Sequence, residues 1–173
     1  MSESNSRKHQ PRSLAVIMES AKKGDPNAQT HLGFHYFNGI DLPKDQNEAV
    51  FWWNKAAKSN HSGAICYLAI AFRDGEGLPM DKTQSIALLR KSAELGFSPA
   101  QFLLGLAFFK GDGVQADKEK GLEWWLKAAE KGNPSALFYL GWAYKNHWRL
   151  YERGKGRLQL TKGPGDDGSA ISN

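Results

Sequence analysis

The segment FWWNKAAK, residues 51 to 58, returns as EWWLKAAE, residues 123 to 130, and ALLRKSAE, residues 87 to 94, stands midway between them. Three near-copies at a fixed step of 36 residues mean that one structural unit recurs, and its register has to be set before any shorter motif is read. The same step aligns Ala28, Ala64, Ala100 and Ala136; Leu32, Leu68, Leu104 and Leu140; Gly33, Ala69, Gly105 and Gly141; and Tyr36, Phe72, Phe108 and Tyr144. A second set follows it: Trp53, Leu89 and Trp125; Lys55, Lys91 and Lys127; Ala57, Ala93 and Ala129. Backward, Leu14 and Ala21 fall in the slots of Val50 and Ala57, so the series opens with half a unit.

Each unit reads as two helices. Ala28, Leu32, Gly33 and Tyr36 recur with helical and not alternating spacing. Gly39, Gly75 and Gly111 stop this first helix, because a left-handed residue ends a helix there without steric cost. A loop (LPKD, LPMD or VQAD) then brings an apolar residue that can fold back, followed by Asp45, Asp81 or Asp117 as N-cap of the second helix. Glu48 and Gln84 complete a capping box in two units, and Lys120 breaks it in the third. Gly33, Gly105, Gly141, Ala57, Ala93 and Ala129 are expected where helices cross closely, with Trp53 and Trp125 filling the space between them. WWxKAA is thereby packing hardware, repeated because one helix pair cannot bury its apolar face alone.

The 173 residues are 40% hydrophobic and 24% charged, an ordinary soluble composition that excludes a fibre or a wholly disordered chain. The most apolar run, FLLGLAFF from Phe102 to Phe109, is far shorter than the ~20 residues that span a bilayer. MSESNSRKHQPRS lacks the apolar region of a secretory signal, and the single Cys66 cannot form an internal disulfide; a cytoplasmic location is expected. The net charge of +5 is carried by the two ends, since residues 13 to 144 hold equal numbers of basic and acidic side chains. A phosphate-tracking groove needs Lys and Arg gathered on the folded part, so nucleic acid is not the expected partner.

The pattern A-x-x-x-L-G-x-x-Y-x-x-G-x-G-V/L-x-x-D-x-x-x-A-x-x-W-x-x-K-A-A-x-x-G, spread over residues 13 to 144, resembles the Sel-1-like repeat, a relative of the tetratricopeptide repeat. The resemblance implies an all-α fold: a right-handed superhelix of antiparallel helix pairs whose concave face holds a protein or peptide. It implies a scaffold or adaptor, bacterial among other settings, with no catalytic activity, no cofactor, no metal and no small-molecule substrate. Some secreted bacterial relatives staple each repeat with a cysteine pair, and this chain has none. The expected organisation is a disordered tail (1–12), a solenoid (13–146), and a divergent, mostly disordered basic tail (147–173). The solenoid divides into a half-repeat at 13–27, repeats at 28–63, 64–99 and 100–135, and a partial unit at 136–146.

In tetratricopeptide-like stacks the first helix of each pair lines the groove. Matching Leu-Gly onto Leu-Gly places Phe34, Phe37, Asn38, Ile70, Arg73, Asp74, Phe102, Leu106, Phe109, Lys110, Phe138, Trp142, Lys145 and Asn146 there, an apolar stripe with a polar edge. Such a stripe suits a partner's amphipathic or extended apolar segment; the competing reading makes several of these side chains core between units. Leu137, Leu140 and Trp142 lack a following repeat, so the end of the stack is covered by Trp148, Leu150 and Tyr151 or serves self-association. The alternative function is attachment of the basic tail to an anionic surface, nucleic acid or membrane. His31 and His35 have a zinc-compatible spacing, but position 32 is Leu and no third ligand accompanies them.

Overall fold

A computed structural model describes residues 13–145, 148–153 and 157–162. Eight helices follow one another in it: α1 (Leu14–Lys22), α2 (Pro26–Asn38), α3 (Gln46–Lys58), α4 (Ser62–Asp74), α5 (Lys82–Glu94), α6 (Ser98–Lys110), α7 (Lys118–Glu130) and α8 (Pro134–Lys145). They form an all-α repeat superhelix in which each helix packs chiefly on the next in the chain.

The second helices start where the sequence places their caps. The Asp45 carboxylate accepts from the N–H groups of Asn47 and Glu48 at 2.9 and 3.0 Å, Asp81 from Gln84 at 2.9 Å, and Asp117 from Lys120 at 3.0 Å. These N–H groups have no carbonyl partner within their own first turn. In the third unit the Lys120 ammonium closes on Asp117 at 2.6 Å, and this side-chain bond holds the carboxyl below its usual range. The first helices end at Gly39, Gly75 and Gly111 with φ of 70°, 73° and 75°. The loop then doubles back: the N–H of Asp45, Asp81 and Asp117 donates to the carbonyl of Tyr36, Phe72 and Phe108 at 2.9, 2.8 and 2.8 Å. Leu42, Leu78 and Val114, the loop's apolar residues, pack half-buried against successive core clusters.

The core is a row of such clusters running from α1 to α8, with Leu32, Trp53, Leu104, Leu122 and Trp125 fully buried. Close approach explains the repeated glycine at Gly33 and Gly105 but not at Gly141, where a Cβ would meet nothing within 4 Å. A Cβ on Gly33 would lie 2.4 Å from Trp53 Nε1, and one on Gly105 would lie 2.5 Å from Trp125 Cδ1.

Beyond α8 the structure departs from the expected tail. β1 (Trp148–Arg153) pairs antiparallel with β2 (Arg157–Lys162), Trp148 opposite Lys162 and Arg153 opposite Arg157. Apolar and polar residues alternate with the two-residue period of a strand over WRL (148–150) and RLQLT (157–161), a signal shorter than the glycine-rich composition around it. The ribbon's backbone runs beside α8 and α7. The rest of the expected C-terminal tail and the whole of residues 1–12 lie outside the described residues.

Candidate partner-binding groove

The fourteen groove positions divide by what their side chains touch. Phe37 packs on the Trp53 ring at 5.3 Å, Phe109 on Trp125 at 5.0 Å, and Phe102 on both Trp125 and Tyr139, at 6.3 and 5.3 Å. These rings and Leu106 are half-buried, one side in the core and the other at the surface. Ile70 is half-buried in the same way. Phe34 is 39% exposed and reaches Tyr67 of the next unit at 5.9 Å; Trp142 is 44% exposed and meets Phe109 edge-on at 6.0 Å; Phe138 is 71% exposed. The polar edge is partly committed. Asn38 is exposed and donates to the Phe34 carbonyl at 2.9 Å. Arg73 grips Asp74 with two bonds of 2.8 Å, which lowers the Asp74 pKa. Lys110 and Lys145 are exposed, and Asn146 lies outside the described residues.

The repeat itself matches a known pattern. The family model of the Sel1 repeat covers residues 26–61, 62–97, 98–133 and 134–159. The chain belongs to the Sel1 repeat family. Sel1 repeats are typically non-catalytic scaffolds for protein–protein interaction. A Sel1 repeat protein from Oxalobacter formigenes is 35% identical over 75% of this chain and 98% of its own, with a TM-score of 0.65. The protein c5321, described as a protective antigen of uropathogenic Escherichia coli with an SLR fold, is 34% identical over 77% of this chain, with a TM-score of 0.71. The present chain spans 28% of that protein's length. Helicobacter pylori cysteine rich protein B, 14% identical with a TM-score of 0.60 over 75% of this chain and 98% of its own, shares the fold. Among curated proteins no sequence matches.

A feature of these Sel1 repeats that the sequence did not disclose is a cleft of about 520 Å³ between α2 and α4, with Phe34, Tyr67 and Phe97 on its walls and His31, His35 and His61 around it. The three imidazoles serve different partners. His35 Nδ1 lies 2.9 Å from the Ile40 carbonyl, to which it donates, and His31 is exposed. His61 caps α4: its Nδ1 accepts from the Ala64 N–H at 3.2 Å and lies 2.9 Å from Thr30 Oγ1, while Nε2 is 3.0 Å from Asn27 Oδ1. Burial, with the nearby His31, lowers the His61 pKa. No grouping of three or more His, Cys, Asp or Glu that could hold a metal occurs among the described residues. Cys66 is buried in α4, and burial pushes its thiol pKa up to about 12. No helix among the described residues is long and apolar enough to cross a membrane.

Proposed function

We propose that the chain is a non-catalytic adaptor that holds a segment of a partner protein against the face built by α2, α4, α6 and α8. The observation that supports it is the line of incompletely buried rings linking successive first helices, Phe34 to Tyr67 and Phe109 to Trp142. Exposed aromatic surface of this kind is costly to leave in water and is the usual anchor of an interface. Its compartment in this reading is a bacterial cytoplasm, in keeping with a lone buried thiol and with bacterial relatives.

The choice of variants matters. Charge at Leu106 or Phe109 would enter the core and confuse unfolding with lost binding, whereas Phe34 and Phe138 stand further out. The Phe34→Glu/Phe138→Glu double variant should keep its helicity and lose the partner captured from the native host by about tenfold or more. Undiminished capture would remove the groove.

The ribbon's register favours a second reading. Alternation puts positions 149, 153 and 157, all arginine, on one face and the leucines at 150, 158 and 160 on the other. Attachment to an anionic surface through that basic face would be weak, steeply salt-dependent and abolished by deleting residues 147–173.

A further inference from the structure

The middle unit departs from its neighbours at facing slots. Trp53 is sandwiched between Phe37 and Tyr67 at 5.3 and 5.1 Å, and Trp125 between Phe109 and Tyr139 at 5.0 and 5.1 Å. One step along, these slots hold Arg73, Leu89 and Leu103. A fourth slot changes with them. Gly33 and Gly105 leave room for the indoles, and the middle unit has Ala69, whose methyl stands where an indole would lie. The result is a hollow of about 220 Å³ walled by Leu89, Leu103, Ile86 and Leu106, with Arg73 and Lys110 beside them.

We propose that this hollow is a socket for one aromatic side chain of the partner segment, and that the segment carries a carboxylate next to that ring. The proposal rests on the adaptor reading above and deepens it. The size fits, since an apolar cavity of ~150 Å³ already takes up a benzene-sized ring. The wall fits too: the Arg73 guanidinium, fixed by its two bonds to Asp74, takes the slot of Phe37, tilted against Trp53, and of Phe109, stacked on Trp125. A planar guanidinium stacks well on an aromatic face. The rim supplies the charge. Lys82 is tied to Asp112 at 2.7 Å, whereas exposed Lys110 has no ion pair among the described residues. A carboxylate beside the guest ring would meet it, orienting the segment and selecting against basic ones.

A displayed library of random short peptides, panned on the intact chain, tests this directly. The expected peptides carry Trp, Phe or Tyr beside Asp or Glu. A synthetic copy of the dominant peptide should lose about tenfold or more in affinity when its ring is replaced by alanine, or when Ala69→Gly/Leu89→Trp rebuilds the filling of the outer units. Lys110→Glu should cost about two- to fivefold. Helicity of each variant is checked, and the alanine substitution in the peptide probes the ring's contribution without touching the fold of the chain. Peptides without a ring, a ring that can be removed without loss, equal binding to the filled variant, or no recovered peptide at all would overturn the socket. Peptides indifferent to the filled variant but lost by Phe34→Glu/Phe138→Glu leave the groove standing without the socket. Indifference to both removes the two together.

Discussion

Around Trp53 and Trp125 the stack closes its interior with three rings in a row; around Leu89, midway between them in the chain, the same backbone is left with a hollow. All three units share the Asp cap, the left-handed glycine and the doubled-back loop bond. Local hydrogen bonding and φ therefore set the helix frame, and the ring sandwich is a separate layer of stabilisation. A unit can change its filling, and with it its surface, without altering its backbone.

Removing the filling should separate the outer units from the middle one most clearly. Trp125→Ala should destabilise the chain by about 3–5 kcal/mol, and Leu89→Ala should fall near 2 kcal/mol because its surroundings are already open. Urea midpoints of the two variants check the order, and equal losses would mean that the hollow is not a difference in packing. A smaller effect tests the glycine slot. Gly105→Ala forces a methyl against the Trp125 ring and should cost about 1–3 kcal/mol, while the reciprocal Ala69→Gly should cost only the ~0.5–1 kcal/mol of a helical glycine. Thermal melts distinguish them. The smallest effect concerns His61, whose pKa in the folded chain lies below its ordinary 6.5. The folded state then binds fewer protons than the unfolded one, so stability is full above pH 6.5 and declines as pH falls through the lowered pKa. His61→Asn, which keeps an N-cap acceptor but does not titrate, should flatten that part of the stability–pH curve.

The frame was legible because each of its devices is local and stated three times. Asp at the cap, Gly at the stop and Ala in the crossing slots carry their meaning within a few residues, and repetition separates them from chance. The pairing of Gly33 and Gly105 with tryptophan was readable for the same reason. The hollow was not, since it arises from Arg73, Leu89 and Leu103, which lie on three helices and meet only in space. The proposed groove shows the same limit. Its positions follow from the register, but whether a ring there is core or surface depends on what the next unit places beside it, as Phe102 on Tyr139 and Phe34 on Tyr67 illustrate. His61 carried no signal in the sequence, because the groups that hold its capping ring, Thr30 and Asn27, belong to the preceding helix pair.

Cys66 gives the stack a chemical clock. Its thiol is sealed inside α4 and holds its proton far above neutral pH, so a maleimide or disulfide reagent must wait for the surrounding helices to part. The labelling half-time of the chain's single sulfhydryl thus counts how often the interior breathes, with no probe introduced and no residue changed.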